Sequence, residues 1–314
     1  MKNNSLYSQL NSFSSLVSRN ILVFLKDKMM VLFSFLAPFI LLMLYVLFLG
    51  DIQVDSIKAM FKSIEEEYHI VLGVEDKMIK SFVNCWLIAG VSAVSSITVA
   101  IGTLNLFVED RQNGVTNDFI SSPTKASVIT LSYAMSSFII TAIIVLLMLA
   151  CGLIYLGATN AFYLTVGEVF ELLGVTILSS LSATTFMIIV ARFIKTSNAY
   201  GAFTGIISAL LGFLIGAYMP ISMFPKGLQI FANILPGSHS AGIFRNIMLD
   251  GVLKELTNGM PSNIVDSIKD AYSFELNFFG TNVGTDVMYI YLAVSVVVFI
   301  AINVIISRFS SKNK

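Results

Sequence analysis

Long apolar blocks separated by polar segments dominate the pattern of this sequence. Six blocks are long enough to cross a bilayer, and Glu171, near the start of the fourth, is the one charged residue within them. About twenty apolar residues, at a rise of about 1.5 Å each, cross a hydrocarbon layer roughly 30 Å thick. Because backbone groups in hydrocarbon must bond within their own segment, each block is predicted to be a transmembrane α-helix. The blocks are residues 29–49, 82–106, 127–157, 169–191, 199–219 and 287–307.

The polar segment before the first block has a helical apolar face of its own. Its apolar residues recur at three- and four-residue steps, with serines and an asparagine elsewhere. Lys26 and Lys28 follow it. The pattern predicts an amphipathic helix over residues 1–28 that lies in the inner membrane interface, and a helix packed on a soluble partner is the alternative. The apolar face comprises Leu6, Leu10, Phe13, Val17, Ile21 and Phe24.

Two longer insertions separate the first block from the second and the fifth block from the sixth. They are residues 50–81 and 220–286. Apolar residues at helical spacing predict an amphipathic helix in the first insertion, whereas prolines exclude one continuous helix from the second. No internal repeat or flexible linker divides the chain, so we predict a single transmembrane domain over residues 1–314. The helical positions are Val54, Ile57, Phe61, Ile64 and Tyr68, and the prolines are Pro220, Pro225, Pro236 and Pro261.

The composition also indicates a membrane protein. Hydrophobic residues make up 56% and charged residues 12% of the chain, whereas soluble domains carry about 25% charged residues. Mean hydropathy is +0.84. The predicted fold class is therefore an all-α integral membrane protein. The net charge of zero gives no reason to expect a nucleic-acid partner.

Lysine and arginine placement predicts the orientation. With the N-terminus inside, the inner segments hold eleven of the 19 Lys and Arg residues, although the outer segments are much longer. Because positive residues concentrate in cytoplasmic loops, we expect a multi-pass protein of the cell membrane with both termini in the cytoplasm. The inner positive residues are Lys2, Arg19, Lys26, Lys28, Arg111, Lys125, Arg192, Lys195, Arg308, Lys312 and Lys314.

Ionisable side chains are absent from the middle of every block. Ion-coupled carriers keep such groups in their spans, although each costs about 2.5–3.5 kcal/mol at the bilayer centre on insertion scales. The sequence also contains no G-x-x-x-x-G-K-[ST] phosphate loop. Uphill transport by this chain would therefore need energy from another polypeptide. A stand-alone secondary carrier or channel is the disfavoured alternative.

The inner loop over residues 107–125 is the candidate docking element for such a partner. It places the adjacent charges of Glu109, Asp110 and Arg111 before Gly114, and it ends at Pro123. The charges, the glycine and the proline predict a short helix followed by a turn. A solvated cluster of charges is the alternative.

The fifth block carries small residues at four-residue steps in two runs, Gly201 to Gly205 and then Ser208 to Gly216. Small residues at this spacing let helices approach closely in lipid, where packing drives association. The face predicts close packing, either within one subunit or between two subunits. Its members are Gly201, Gly205, Ser208, Gly212 and Gly216.

Two groups of residues suggest enzyme sites only weakly. Ser238 and His239 are sequence neighbours in an outer insertion, whereas the members of a catalytic triad converge from a preorganised scaffold. The run Glu65–Glu67 with His69 falls on the polar face of a predicted outer helix. We therefore predict no catalytic and no metal-ligating residue, and an intramembrane protease is disfavoured.

Several motifs follow one another in a specific order. The N-terminal segment runs through Arg19-Asn20 and Lys26-Asp27 into a first block with Pro38, and the inner loop ends at Ser122-Pro123. The strongest stretch comprises Gly212, Pro220, Pro225, Leu235-Pro236, Ser238-His239, Arg245 and Gly251. In this order the chain resembles the permeases, or membrane subunits, of type-2 ATP-binding-cassette (ABC) exporters.

The resemblance implies a fold and a set of functional residues. The fold would have six spans, an inner elbow helix and a re-entrant outer hairpin between the fifth and sixth spans. Two identical or related permeases would associate through their first and fifth spans. The inner loop would be a coupling helix seated in an ATPase subunit, and the outer hairpin would gate the exit. The implied ATPase contacts are Glu109, Asp110, Arg111 and Gly114, and the implied gate residues are Pro220, Pro225, Pro236 and Arg245.

The function implied is the permease half of an ATP-driven exporter for an amphiphilic substrate such as a drug, peptide, lipid or glycan. ATP and Mg would bind to the partner ATPase, and this chain would hold no cofactor and catalyse no covalent reaction. A toxin-immunity protein that uses the same fold is a further alternative.

Overall fold

The computed structural model describes residues 2–44, 47–48, 50–69, 73–278 and 281–312. It is 84% helical. The described elements are α1 (Lys2–Lys26), α2 (Lys28–Leu44), α3 (Gly50–Tyr68), α4 (Asp76–Thr103), α5 (Asn105–Gln112), α6 (Val115–Ile120), α7 (Ala126–Ala158), α8 (Val166–Phe193), α9 (Ser197–Leu214), a 3-10 helix (Ile221–Met223), α10 (Lys226–Ile234), α11 (Pro236–Leu256), α12 (Ser262–Ala271), β1 (Leu276–Phe278), β2 (Thr281–Val283) and α13 (Thr285–Lys312).

In the part of the chain that the structure describes, five helical segments are long and apolar enough to cross a membrane: α4 with α5, α7, α8, α9 and α13. A sixth span arises only if α1 and α2, which meet at 82°, count together as one broken span. The predicted all-α membrane architecture is confirmed, and the span count is five or six. The first predicted block, residues 29–49, corresponds to α2, and residues 45, 46 and 49 lie outside the described part.

Helix α4 forms the centre of the bundle and packs against α11, α7, α8, α2, α9 and α3. Small residues allow this crowding. At Gly90 an added Cβ would lie 2.9 Å from the Ala217 carbonyl oxygen, so any side chain there would displace the chain after α9. Buried hydroxyls bond within the helix, as in the bond of 2.8 Å from Ser92 Oγ to the Ile88 carbonyl. The Ser92 hydroxyl is therefore satisfied without a partner from another helix, whereas Thr103 of α4 also bonds Ser137 of α7 over 2.5 Å.

Helix α3 is the amphipathic helix predicted in the first insertion. It lies on the start of α4. Lys58 and Asp76 join the two helices by an ion pair of 2.8 Å. The side chain of Tyr68 lies outside the described part, and the four other predicted apolar positions are buried: Val54, Ile57, Phe61 and Ile64.

The second insertion is divided into the 3-10 helix, α10, α11, α12 and a β-hairpin. The prediction that this insertion is not one continuous helix is confirmed, and three prolines lie at helix starts: Pro225 precedes α10, Pro236 begins α11 and Pro261 precedes α12. In the hairpin, Leu276 pairs with Val283, and Asn277 pairs with Asn282. Most of α11 is buried against α4, α13 and α8.

Helix α1 packs against α7, where Asn20 and Phe24 of its second half are buried, whereas Leu6 and Leu10 of its first half are exposed. The placement of its apolar face in the inner membrane interface stays a prediction. Its largest exposed apolar side chains are Leu6, Tyr7, Leu10, Leu22 and Leu25.

Candidate functional site

The segment over residues 105–125, which we call the α5–α6 turn, closes one end of the bundle. Leu104 separates α4 from α5, and the Tyr200 hydroxyl of α9 donates to the nearby Ile101 carbonyl over 2.8 Å. Gly114, with φ +81°, lets the chain reverse between α5 and α6. Local chemistry thus produces the short helix and turn predicted for this loop.

Asp110 is the buried centre of this turn. Its carboxylate accepts two hydrogen bonds from the Arg19 guanidinium of α1, one of them from Nη2 at 3.2 Å. The Tyr133 hydroxyl of α7 donates a third bond of 2.6 Å. Asp110 is only 6% exposed, so its side chain joins the turn to α1 and α7. A contact between Asp110 and an ATPase stays a prediction, and its burial gives it an intramolecular role.

Arg111 connects the turn to the link between α8 and α9. Its guanidinium donates to the Arg192 carbonyl over 2.7 Å and to the Ile194 carbonyl. The Gln112 side-chain oxygen accepts a 2.6 Å bond from the Ser197 backbone N–H. These bonds satisfy backbone groups at the end of α8 and the start of α9, which those helices cannot satisfy themselves.

Gln9 makes a second connection between α1 and the turn. Its amide nitrogen donates to the Pro123 carbonyl over 3.0 Å, and its amide oxygen accepts from the Lys125 N–H, also over 3.0 Å. Together with the Arg19–Asp110 pair, these bonds fix the turn to α1 at two separate points.

Of the three adjacent charges, Glu109 alone is exposed. Its side chain makes no hydrogen bond or ion pair with the described residues. Asp118 and Ile120 on α6 are exposed as well, the latter by 44%. At α5 and α6 the free surface of the turn is therefore acidic with an apolar residue beside it, whereas the exposed Lys125 lies at the end of the turn. The acidic part suits a basic, partly apolar partner surface.

Sequence reasoning missed the residues that hold the turn in place, namely Gln9, Arg19 and Tyr133. A polar pair, Arg19-Asn20, interrupts an otherwise apolar helix face, and this was the available signal. The partner of Arg19 could not be identified from it, because Asp110 lies 91 positions away in the chain.

The small residues of α9 divide into two groups. Around Gly201 and Gly205 an added Cβ would meet nothing within 4 Å. At Gly212 it would collide with the ring of Tyr218, and Gly216 adopts φ +73° where the chain leaves α9. Ser208 is half-buried and lines a lateral cleft. Gly212 and Gly216 thus have packing reasons within the chain, whereas Gly201 and Gly205 form an open face.

We expect leucine to act differently at these two positions. Gly212→Leu should destabilise the chain by about 1–3 kcal/mol, because it overpacks a filled site. Gly205→Leu should leave stability unchanged and weaken self-association about tenfold if the open face joins two copies. Thermal unfolding and the monomer–dimer equilibrium in detergent measure the two effects.

The control for this pair is Gly174→Leu, at another exposed helical glycine with no atom within 4 Å of an added Cβ. It should alter neither measurement. Equal dimerisation of Gly205→Leu and the control would remove Gly205 from any interface.

The lateral cleft, of about 620 Å³, lies between α2, α4 and α9. Asp27, which caps the start of α2 by accepting from the Met29 and Met30 N–H groups, is the one charged residue among its described lining residues. The lining is otherwise apolar with scattered hydroxyl and amide groups. It includes Phe33, Pro38, Leu41, Thr98, Asn105 and Ser208.

Arg245, predicted as a gate residue, is buried at the opposite end of the bundle. Its guanidinium donates to the Ser273 carbonyl and to the Gly216 carbonyl, each over 2.8 Å. These bonds join α11 to the end of α9 and to the segment before the hairpin. The turn between α10 and α11 lies deep in the bundle, since an added Cβ at Gly237 would meet Ile97 of α4 at 2.5 Å.

The weak enzyme motifs have structural partners. Ser238 Oγ donates to the Ala232 carbonyl over 2.5 Å, and His239 Nε2 bonds the Asn233 carbonyl at 2.8 Å. The His239 ring stacks on Tyr291 with centroids 3.8 Å apart. Among the described residues, no three His, Cys, Asp or Glu side chains are arranged to hold a metal ion.

Comparison with known proteins identifies one family. The family model described as ABC-2 type transporter matches residues 11–249, which include the larger part of α1, the α5–α6 turn, α9 and most of α11. No curated protein and no solved structure matches the chain.

Proposed function

Because this chain belongs to the ABC-2 type transporter family, we propose that it is the permease subunit of an ATP-driven exporter for an amphiphilic substrate. Members of this family are transporter permease components that generally work with an ATPase. Export as the direction, and an amphiphile as the cargo, are the further steps of this proposal.

The observation that carries the proposal is the way in which the α5–α6 turn is held. Its buried charges bind the bundle, whereas its exposed surface, with Glu109, makes no ion pair in the described part. A partner that displaces this surface would displace α1 and α7 with it, because the Asp110 side chain bonds to both helices. Gln112 passes the same movement to the start of α9.

We propose that the partner is a cytosolic ABC ATPase, which binds ATP and Mg and lies against the turn. Closure of its nucleotide sites displaces the turn, and α1 and α9 move with it. A second permease, identical or related, packs against the open face at Gly201 and Gly205. ATP drives the cycle because the closed ATPase binds one arrangement of the permease pair more tightly than the other.

The lateral cleft is the proposed route of access for the cargo. It lies between α2 and α9, the first and fifth predicted spans, and its lining combines apolar side chains with hydroxyl and amide groups. This combination suits the apolar body and polar end of an amphiphile. Among its described lining residues the one charge is the Asp27 carboxylate, so a neutral or cationic polar end fits better than an anionic one.

The outer hairpin of α10 and α11 is the proposed exit gate. Its turn at Leu235-Pro236 approaches α4 deep in the bundle, and this depth supports a re-entrant hairpin. Pro220 and Pro225 interrupt the chain before α10, so the hairpin can tilt separately from α9. Arg245 connects the hairpin to both neighbours. With this hairpin on the outer side of the membrane, both termini are cytoplasmic.

Purification and reconstitution test the proposal. We expect the chain, extracted from its native membrane in mild detergent, to retain an ABC ATPase in about equal amount. Vesicles of this complex should transport rhodamine 6G, a fluorescent cationic amphiphile, with ATP present and all ion gradients dissipated. Transport by the purified chain alone, driven by a proton or sodium gradient, would contradict the proposal and indicate a secondary carrier.

A further inference from the structure

An open polar cleft of about 510 Å³ lies at the end of the bundle opposite to the α5–α6 turn. Its walls are the 3-10 helix, α10, the end of α12 and the β-hairpin. The volume falls within the range of about 300–1,000 Å³ typical of small-molecule sites. The polar lining includes Lys226, Gln229, Asp270, Glu275, Asn277 and Asn282. We call it the polar cleft.

Charges of both signs line the polar cleft without neutralising each other. Lys226 begins α10, whereas Asp270 lies near the end of α12 and Glu275 precedes β1. None of the three forms an ion pair with the described residues. A ligand that carries an anionic and a cationic group can therefore pair with both signs at once through charge-assisted hydrogen bonds.

The walls are held in place before any ligand binds. The Gln229 amide nitrogen donates to the Ser222 carbonyl over 3.2 Å and to the Phe224 carbonyl over 2.7 Å. Ser222 Oγ donates to the Ala271 carbonyl over 2.7 Å, which joins the 3-10 helix to α12. Because these groups are already ordered, a ligand would lose little free energy in arranging them.

Helix α10 places the polar cleft beside lipid. Lys226 and Gln229 face the cleft, whereas the opposite side of the helix exposes Leu228, Phe231 and Ile234. The exposed apolar face of α10 suits contact with acyl chains, and Lys226 lies at the end of the helix away from the deep turn at Leu235-Pro236. The charged groups of the cleft then lie at the depth of lipid head groups.

We propose that the polar cleft binds the head group of phosphatidylethanolamine, a phospholipid with a phosphate and a primary ammonium. Lys226 pairs with the phosphate, and the carboxylates of Asp270 and Glu275 accept hydrogen bonds from the ammonium. Phosphatidylcholine has the same charges but no N–H to donate, and phosphatidylglycerol has no cation. The assignment of the polar cleft to the outer leaflet rests on the orientation given under the proposed function. The head-group preference does not depend on transport.

Native mass spectrometry of the full chain, titrated with each of the three phospholipids, tests this assignment. We expect phosphatidylethanolamine to bind at least about tenfold more tightly than the other two. The double variant Asp270→Asn/Glu275→Gln should lose the preference over phosphatidylcholine, and Lys226→Gln should weaken binding of phosphatidylethanolamine and phosphatidylcholine equally.

Matched controls come from the same helix as Asp270. Asp266 and Lys269 on α12 are exposed and do not line the polar cleft, so Asp266→Asn and Lys269→Gln should retain the preference. Equal affinity of the wild type for the three phospholipids would overturn the proposal. A loss of preference in Asp266→Asn or Lys269→Gln as large as in the double variant would overturn it as well. Soluble glycerophosphoethanolamine that binds as tightly as the lipid would overturn the assignment to a membrane lipid. These lipid-binding measurements use no nucleotide. A negative result in them can therefore be distinguished from a failure of ATP-driven export.

Discussion

Replacement of Asp110 by alanine is expected to destabilise the chain by about 2 kcal/mol and to uncouple ATP hydrolysis from transport. Removal of one member of a buried ion pair costs about 3–5 kcal/mol, because the other charge stays buried without its partner. Here the Arg19 side chain is 32% exposed and can recover some hydration, which reduces the expected cost. The Tyr133 hydroxyl also loses its acceptor.

The uncoupling has a mechanical reason. Asp110 connects the α5–α6 turn to α1 and α7, and without it the turn can move while the bundle stays in place. ATP hydrolysis in the complex should therefore continue, whereas rhodamine 6G transport per ATP should fall.

A double-mutant cycle separates this ion pair from a general loss of stability. Thermal unfolding of Arg19→Met, Asp110→Leu and the double variant should show that the second change adds little after the first. Asp118→Ala, at an exposed aspartate of the same turn, should stay within about 0.5 kcal/mol of the wild type. Additive effects of Arg19→Met and Asp110→Leu would show that the pair does not stabilise the turn.

Charge reversal at Glu109 is expected to weaken ATPase binding without changing the stability of the chain. Glu109→Lys should leave thermal unfolding unchanged, because the side chain is exposed and has no partner in the described part of the chain. Binding of the ATPase should fall at least about tenfold, since like charges placed opposite each other in an interface cost several kcal/mol. Co-purification yield and titration of the ATPase onto the variant in nanodiscs measure this.

The matched control is Glu255→Lys, an identical change at an exposed glutamate near the end of α11, at the opposite end of the bundle. It should retain full ATPase binding. Unchanged binding by Glu109→Lys would place the docking surface elsewhere. Comparison with Asp110→Ala then distinguishes two roles for adjacent residues, one in partner binding and the other in transmission of movement.

The membrane architecture could be read from the sequence because hydropathy acts locally. An apolar block of sufficient length has only one way to satisfy its backbone in lipid, so five predicted spans correspond to α4, α7, α8, α9 and α13. The break positions in the second insertion were equally local, since proline lacks an amide hydrogen and restricts φ wherever it occurs. The first block corresponds to α2, which is strongly apolar, and its described 17 residues reach the length of a span only together with α1.

The functional assignments depended on tertiary structure, because a polar side chain takes its role from the groups that surround it. Glu109, Asp110 and Arg111 are three adjacent charged residues with nothing in the sequence to separate their roles. The fold exposes Glu109, buries Asp110 against α1 and bonds the Arg111 guanidinium to two backbone carbonyls. Gly205 and Gly212 lie seven positions apart in the same predicted small-residue face, but only Gly212 has a ring beside it. Sequence determined which segments enter the lipid, and packing between distant segments determined which charges remain available to a partner.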